Sequence, residues 1–245
     1  MAVAAKYTRF LLDEFDFSGD SNNLELSITV APLKDTGFQE DAETYVAGLT
    51  ESNISQGGYY SGSGAGYLEH ELNTRLGTQT PAYVAALFGT NIAACPAYVT
   101  AQTWGQQMNF DMPLENLIQI KSAWPASGGL IRGLRLTSVT TQTITTTGAL
   151  ASVDLGAQGT AGGVGFVFVQ SISGSATNAT IDFESSATSG GVYVSEGTAT
   201  FSAVGVQVVT FSGTVDQWVR LNVTSMGGAT NFVIVGIAGI SGVTY

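Results

Sequence analysis

A chain of 245 residues with 44% hydrophobic side chains can fill one large core or two ordinary ones, and its net charge of −11 with only eight basic residues argues against a nucleic-acid reader, which needs clustered Lys and Arg. Charged residues make up 11%, far below the roughly 25% of an average soluble domain, and 31 glycines with long Ser/Thr stretches take their place. That mixture suits short strands joined by tight turns, because Gly supplies positive φ and β-branched Thr and Val fit a pleated surface.

In chain order, residues 1–10 lack the apolar core of a secretory signal, and no run of 18 apolar residues offers a membrane span. FLLDEFDFSGDSNN reads as a strand or hairpin broken by the turn cluster Ser18–Asn23. In LELSITV, Leu24, Leu26, Ile28 and Val30 alternate with Glu25, Ser27 and Thr29, the period of a half-buried strand. Residues 31–48 change character: acidic and polar around Phe38, Tyr45 and Val46, they read as a long excursion from the sheet that docks on something. SNISQGGYYSG returns as a strand. Leu68, Leu72 and Leu76, with Gly77 placed as a C-terminal cap, predict one helix over 66–76. Strands are expected at 82–88, 97–103, 106–112 and 116–123, and ASGGLIRGLRLTSV closes a first domain, residues 1–140.

The Thr-rich segment from Thr140 to Gly148 marks a composition break and opens a second domain, residues 141–245. Apolar segments recur there at 163–169, 179–184, 191–195, 206–211, 217–224 and 231–238, the spacing of a β-sandwich. In QWVRLNVT the inward set is either Val219, Leu221 and Val223 or the reverse register with Trp218 buried. The fold class is all-β throughout.

Residues with recognisable chemistry are sparse. His70 stands between Glu69 and Glu71 on the face of the predicted helix away from Leu68 and Leu72, the place of a solvated histidine. Cys95, the single cysteine, reads as a small buried hydrophobe, and with one His and one Cys no His/Cys zinc set can form within a chain. No G-x-S-x-G elbow occurs, and SGSGAG lacks both the Lys-Ser/Thr of a phosphate loop and the third glycine of a dinucleotide loop. The acidic residues Asp35, Glu40, Asp41 and Glu43 lack the spacing of a calcium loop. No catalytic residue, metal ligand or cofactor is expected, and weight moves to self-association through strand edges and apolar loops.

The order of features, TRFLLDEFDFSG, LELSITV, APLKDTGFQEDAETYVAGL, ISQGGYYSG and one short helix, resembles the tail-tube proteins of long-tailed bacteriophages. The likeness lies in Leu12–Ser18 (L-D-x-[FY]-D-x-S), in Asp35–Phe38 (D-T-x-F) and in Tyr45–Leu49 (Y-x-x-G-L), and spans about the first 135 residues. Where the family often carries a Thr-rich run before its Phe, this chain has Lys34, Asp35, Thr36 and Gly37. The resemblance implies a β-sandwich or open barrel with one flanking helix, whose copies, six to a ring, join sheets and stack through an arm. That arm maps to residues 31–48, with Asp35, Phe38, Tyr45 and Leu49 as its assembly residues. It implies a virion tail protein made in a bacterial host's cytoplasm, with other tail proteins as partners and genomic DNA touched in passing by an acidic inner wall. Residues 141–245 resemble the immunoglobulin-like decorations of phage structural proteins. Two further readings stand beside this one: a capsid decoration or tail-adaptor protein, and a carbohydrate-binding module in which Trp218, Tyr193 or Tyr245 stacks on host-surface glycans. Core packing is the plainer role for each of those three aromatics.

Overall fold

The computed structural model describes residues 8–34, 45–78, 81–89, 94–112, 117–137 and 141–241. In chain order its elements are β1 (Arg9–Leu12), β2 (Phe15–Asp16), β3 (Ser21–Lys34), β4 (Tyr45–Tyr59), helix α1 (Leu68–Arg75), β5 (Val84–Leu87), β6 (Pro96–Thr103), β7 (Gln107–Asp111) and β8 (Gln119–Arg135). There follow β9 (Gln142–Ile144), β10 (Gly148–Ala149), β11 (Val153–Asp154), β12 (Gly163–Gly174), β13 (Ala179–Ser186), β14 (Val194–Phe201), β15 (Gly205–Phe211), β16 (Trp218–Ser225) and β17 (Ala229–Ile240). The protein is all-β, with one short helix among the described residues.

Two compact units share the chain, and neither is one continuous run. The first takes the described parts of Met1–Asp16, Ala85–Val99 and Ile131–Tyr245; the second takes those of Phe17–Val84 and Thr100–Leu130. Residues 141–245 thus share a unit with three earlier stretches, an interleaving that the composition break at 140 does not reveal.

The first unit is a two-sheet sandwich. One sheet runs β15-β12-β17-β8-β6-β5-β1-β2, with β9 also on β17; the other runs β10-β16-β13-β14, with β11 on β16. From β12 to β17 each connection crosses between the sheets except the β13–β14 hairpin. This order differs from the ABED and CFG sheets of a constant-type immunoglobulin domain. Within GVGFVFV the residues from Gly165 to Val169 are all buried, with Val167 and Val169 in the core between the sheets, so both faces of β12 are covered there and the segment is continuously apolar. The core between the sheets runs from Leu134 to Ile240, and all its members but Leu134 and Leu136 lie beyond residue 140.

Aromatic rings bridge that core. Phe183 meets Phe211 with centroids 5.3 Å apart, and Phe201 meets Phe232 edge-on at 5.1 Å. Glycines make the room: a Cβ on Gly165 would stand 2.5 Å from the Phe183 ring, and one on Gly236 would stand 2.4 Å from Leu221. Cys95 is buried as expected and its carbonyl accepts from the Arg135 amide at 3.0 Å. Arg135 is itself buried, and desolvation lowers its guanidinium pKa, with Cys95 opposing and Arg9 adding to the shift.

In the second unit, β3, β4, β8 and β7 pair antiparallel in that order. Alternation puts Ile54, Ile120 and Trp124 in the core, and a polar chain threads the same buried face. The Trp124 indole donates to Ser122 Oγ (2.9 Å), Ser122 to Gln56 Oε1 (3.2 Å), Gln56 Nε2 to Ser21 Oγ (3.0 Å), and Ser21 to the Phe17 carbonyl (2.8 Å). The buried Gln56, Ser122 and Trp124 side chains are thereby satisfied, and the chain ends at the half-buried Ser21.

Helix α1 is shorter than 66–76. Leu68 and Leu72 are buried, but Leu76 has left the helix, extended and exposed, and Gly77 takes the left-handed turn at φ +71°. Glu71 is buried as well. Its carboxylate takes the Gly66 amide at 3.1 Å and the Arg75 guanidinium at 2.5 Å, so the SGSGAG stretch is a turn tied to the helix. His70, half-buried, neighbours it in sequence.

Two strand boundaries differ from expectation. The strand expected at 191–195 is β14, displaced toward the C-terminus: Val192 and Val194 are exposed, and Ala199 and Phe201 supply the buried face. The strand expected at 116–123 is β8, which runs on from Gln119 to Arg135 through the stretch expected to close the first domain.

Candidate functional site

The expected excursion at 31–48 is, where described, a ribbon continuous with the sheet. β3 and β4 stay in register from Leu24↔Gln56 through Ile28↔Ser52 and Val30↔Thr50 to Lys34↔Tyr45, with an irregularity between Val30 and Pro32. β4 pairs with β8 only from Asn53 to Tyr59. From Ser52 back to Tyr45, therefore, β4 pairs among the described residues only with β3. The apolar row of β3 follows the same boundary: Leu24 and Leu26 are half-buried, whereas Ile28 and Val30 are 53% and 47% exposed. An alternation written for a covered face thus runs past the edge of its cover.

Of the assembly residues expected from sequence, Tyr45 and Leu49 lie in β4, Tyr45 opposite Lys34. Asp35 and Phe38 lie outside the described residues, as do the acidic residues Glu40, Asp41 and Glu43.

The other face of β3-β4-β8-β7 is polar. Two open depressions of about 510 and 490 Å³ lie on it, the first lined in part by Asn23, Glu25, Gln107, Asn109, Gln119 and Lys121, the second in part by Ser27, Thr29, Glu51 and Asn53. Three carboxylates (Glu25, Glu51, Asp111) face one ammonium (Lys121) among amides and hydroxyls. Such a surface offers hydrogen bonds and repels polyanions weakly.

The outer face of the sandwich's second sheet carries a different cluster. In β16, Val219, Leu221 and Val223 point into the core and Trp218, Arg220 and Asn222 point out, which decides between the two registers left open by sequence and moves Trp218 from the core to the surface. Arg220 sits opposite Glu184 on β13. Its Nε donates to Glu184 Oε2 at 2.8 Å, Asn222 Nδ2 donates to Glu184 Oε1 at 2.8 Å, and the guanidinium carbon lies 3.7 Å from the Tyr193 ring centroid. Tyr193 is in turn held by its hydroxyl on the Ser189 carbonyl at 3.0 Å. Glu184 and Tyr193 escape sequence reasoning as partners of Arg220 because they are 36 and 27 residues away; only the β13–β16 register and the turn ahead of β14 bring them together. Tyr245 lies outside the described residues.

Among the described residues no group of three His, Cys, Asp or Glu side chains is placed to hold a metal, and no helix is long and apolar enough to cross a membrane.

No protein-family model and no curated protein matches the sequence. Among solved structures, a chain of the virion of a native gene transfer agent particle aligns over 53% of this chain and 97% of its own, with TM-score 0.42 and 9% identity. The SPP1 Dit protein, described as a paradigm of the hub adsorption apparatus in phages infecting Gram-positive hosts, aligns over 95% and 98%, with TM-score 0.37 and 11% identity. A chain of the anti-feeding prophage baseplate aligns over 54% and 96%, with TM-score 0.37 and 9% identity. These scores lie below 0.5, and nothing of how those particles assemble is carried over to this chain.

Proposed function

We propose that this protein is a structural subunit of a phage-type virion tail, a tail-tube protein whose rings stack around a DNA-conducting channel. The observation that carries the reading is the β3–β4 ribbon. A two-stranded ribbon is marginal by itself, and this one leaves Ile28 and Val30 exposed beyond its sheet. Exposed aliphatics on a strand pair are what a neighbouring subunit covers, with backbone ladders and side-chain pockets as the means. The resemblance of Leu12–Ser18, Asp35–Phe38 and Tyr45–Leu49 to the tail-tube family supplies the kind of neighbour, a further copy in the next ring. The polar face bearing Glu25, Glu51 and Asp111 is the wall we assign to the channel, where DNA slides past without being held.

Electron microscopy of the purified protein, with light scattering on the same sample, tests this. Hollow tubes or stacked rings are expected. A discrete trimer that decorates capsid lattice would replace the tube reading with the decoration one. The ribbon is tested in the same assay: Ile28→Asp with Val30→Asp is expected to reduce assembly at least tenfold while moving the melting temperature by no more than a few degrees, because both side chains are exposed in the free chain.

Residues 141–245 we read as a peripheral sandwich domain outside the ring contacts. Since the core between its sheets draws only Leu134 and Leu136 from earlier sequence, a chain of 141–245 alone is expected to melt cooperatively. Absence of a cooperative transition in calorimetry would show that the earlier strands of its unit are needed for folding.

A further inference from the structure

We propose that the outer face of the β10-β16-β13-β14 sheet binds a neutral saccharide at Trp218, Arg220, Asn222 and Glu184. The inference is independent of the tail reading, because none of these residues belongs to the ribbon or to the polar face assigned to the channel.

Residues two apart on a strand share a face and stand about 6–7 Å apart, so Trp218, Arg220 and Asn222 form one row along β16, with Glu184 beside the middle of it. The row is fixed. Each oxygen of Glu184 holds a different donor, Arg220 Nε on one and Asn222 Nδ2 on the other, and Tyr193 lies against the guanidinium. Little ordering remains to be done when a ligand arrives, the condition under which weak polar contacts add up to binding.

The row also has unused capacity. A guanidinium has five N–H donors and a side-chain amide oxygen accepts; among the described residues Arg220 spends one donor on Glu184, which is itself buried and positions Arg220 and Asn222 through one oxygen each. Donors and acceptors therefore alternate within a few ångströms beside the half-exposed indole of Trp218. Adjacent hydroxyls, each able to donate and accept, match alternating donors and acceptors, and the apolar face of a pyranose matches an indole.

Charge selects among ligands. Arg220 is the sole base beyond residue 140 against five acids, and Glu184 already neutralises it. Asp182 borders the row opposite Asn222, and Asp154 pairs across from Trp218. A phosphate, a sulfate or a sialic acid meets net repulsion here, whereas a neutral sugar does not.

The test is saturation-transfer NMR on the full chain with glucose, galactose, N-acetylglucosamine, rhamnose and lactose, and with sialic acid and glucose 6-phosphate as the charged arm. At least one neutral sugar is expected to receive saturation, with a dissociation constant in the millimolar range. Trp218→Ala and Arg220→Met are each expected to weaken it tenfold or more, and Thr210→Ala on the opposite sheet is expected to leave it unchanged. Trp218→Ala removes a half-exposed ring that makes no bond to Glu184, so it remains informative if Arg220→Met unfolds. No transfer to any neutral sugar, equal binding by the Trp218 variant, or tighter binding of the charged sugars would overturn the proposal. Electron microscopy of tubes reads none of these residues, so the two proposals fail separately.

Discussion

Deleting residues 33–47 is expected to yield a chain that folds normally and forms no tubes. The deletion joins Pro32 to Gly48 and leaves Ala31, Pro32, Gly48 and Leu49 as a four-residue connection between the paired Val30 and Thr50, a length that antiparallel strands accept readily. The pairing of β4 with β8 begins at Asn53 and is untouched, as is the Trp124–Ser122–Gln56–Ser21 chain. The expected loss is therefore confined to contacts with another subunit. Anchor residues at interfaces typically contribute about 2–4 kcal/mol each, and in a polymer the same contact recurs at every subunit. Circular dichroism with an unchanged melting midpoint, alongside an absence of tubes in the microscope, is the anticipated pair of results. Normal tubes from the deleted chain would remove the ribbon from the assembly interface.

Phe183→Ala is expected to be among the most damaging single substitutions in the sandwich. The ring is fully buried between the sheets, against Phe211 and over the vacant position at Gly165. Emptying such a site costs about 3–5 kcal/mol, a large share of the roughly 5–15 kcal/mol that holds a domain folded. In a unit of this size the midpoint should fall by roughly 10 °C. Gly165→Ala fails for the opposite reason, since its new methyl would stand 2.5 Å from the ring; overpacking of this kind costs about 1–3 kcal/mol. Its backbone angles are ordinary for any residue, so space and not conformation is what glycine supplies there. Combining Gly165→Ala with Phe183→Leu should thus cost less than the two separately, by about 1 kcal/mol or more. Strict additivity in urea denaturation would mean that the two residues do not compete for the same volume.

Much of this architecture was legible in the chain because period-two alternation is a local signal. LELSITV names one apolar row, QWVRLNVT narrows its inward residues to two registers, and GVGFVFV announces a strand. What escaped depends on distance or on misleading local chemistry. Val192, Tyr193 and Val194 look like a strand centre, yet the buried face of β14 comes from Ala199 and Phe201. The strand expected to end at 123 continues through Pro125, Gly128 and Gly129 to Arg135, with Gly129 absorbing a φ of +86°. Leu76 completes a leucine period on paper but lies past the last helical turn, while Glu71, which the leucine period does not mark, is buried and held by Gly66 and Arg75. The ribbon was half visible: the apolar row of β3 was plain, but that its last two members are exposed follows only from where β4 parts from β8, at Asn53 opposite Pro125. The Arg220 cluster was not visible at all, since cross-strand partners are set by register.

The three tryptophans divide between two kinds of environment. Trp124 is fully enclosed with its indole N–H on Ser122, whereas Trp104 and Trp218 reach solvent. Intrinsic fluorescence can therefore follow the chain without an added label. Acrylamide should quench Trp104 and Trp218 in the native protein and reach Trp124 only when the β3-β4-β8-β7 sheet opens. A Trp104→Phe variant would leave one shielded emitter in one compact unit and one accessible emitter in the other, so a denaturation curve read at the blue and red edges of the spectrum would separate the melting of the two.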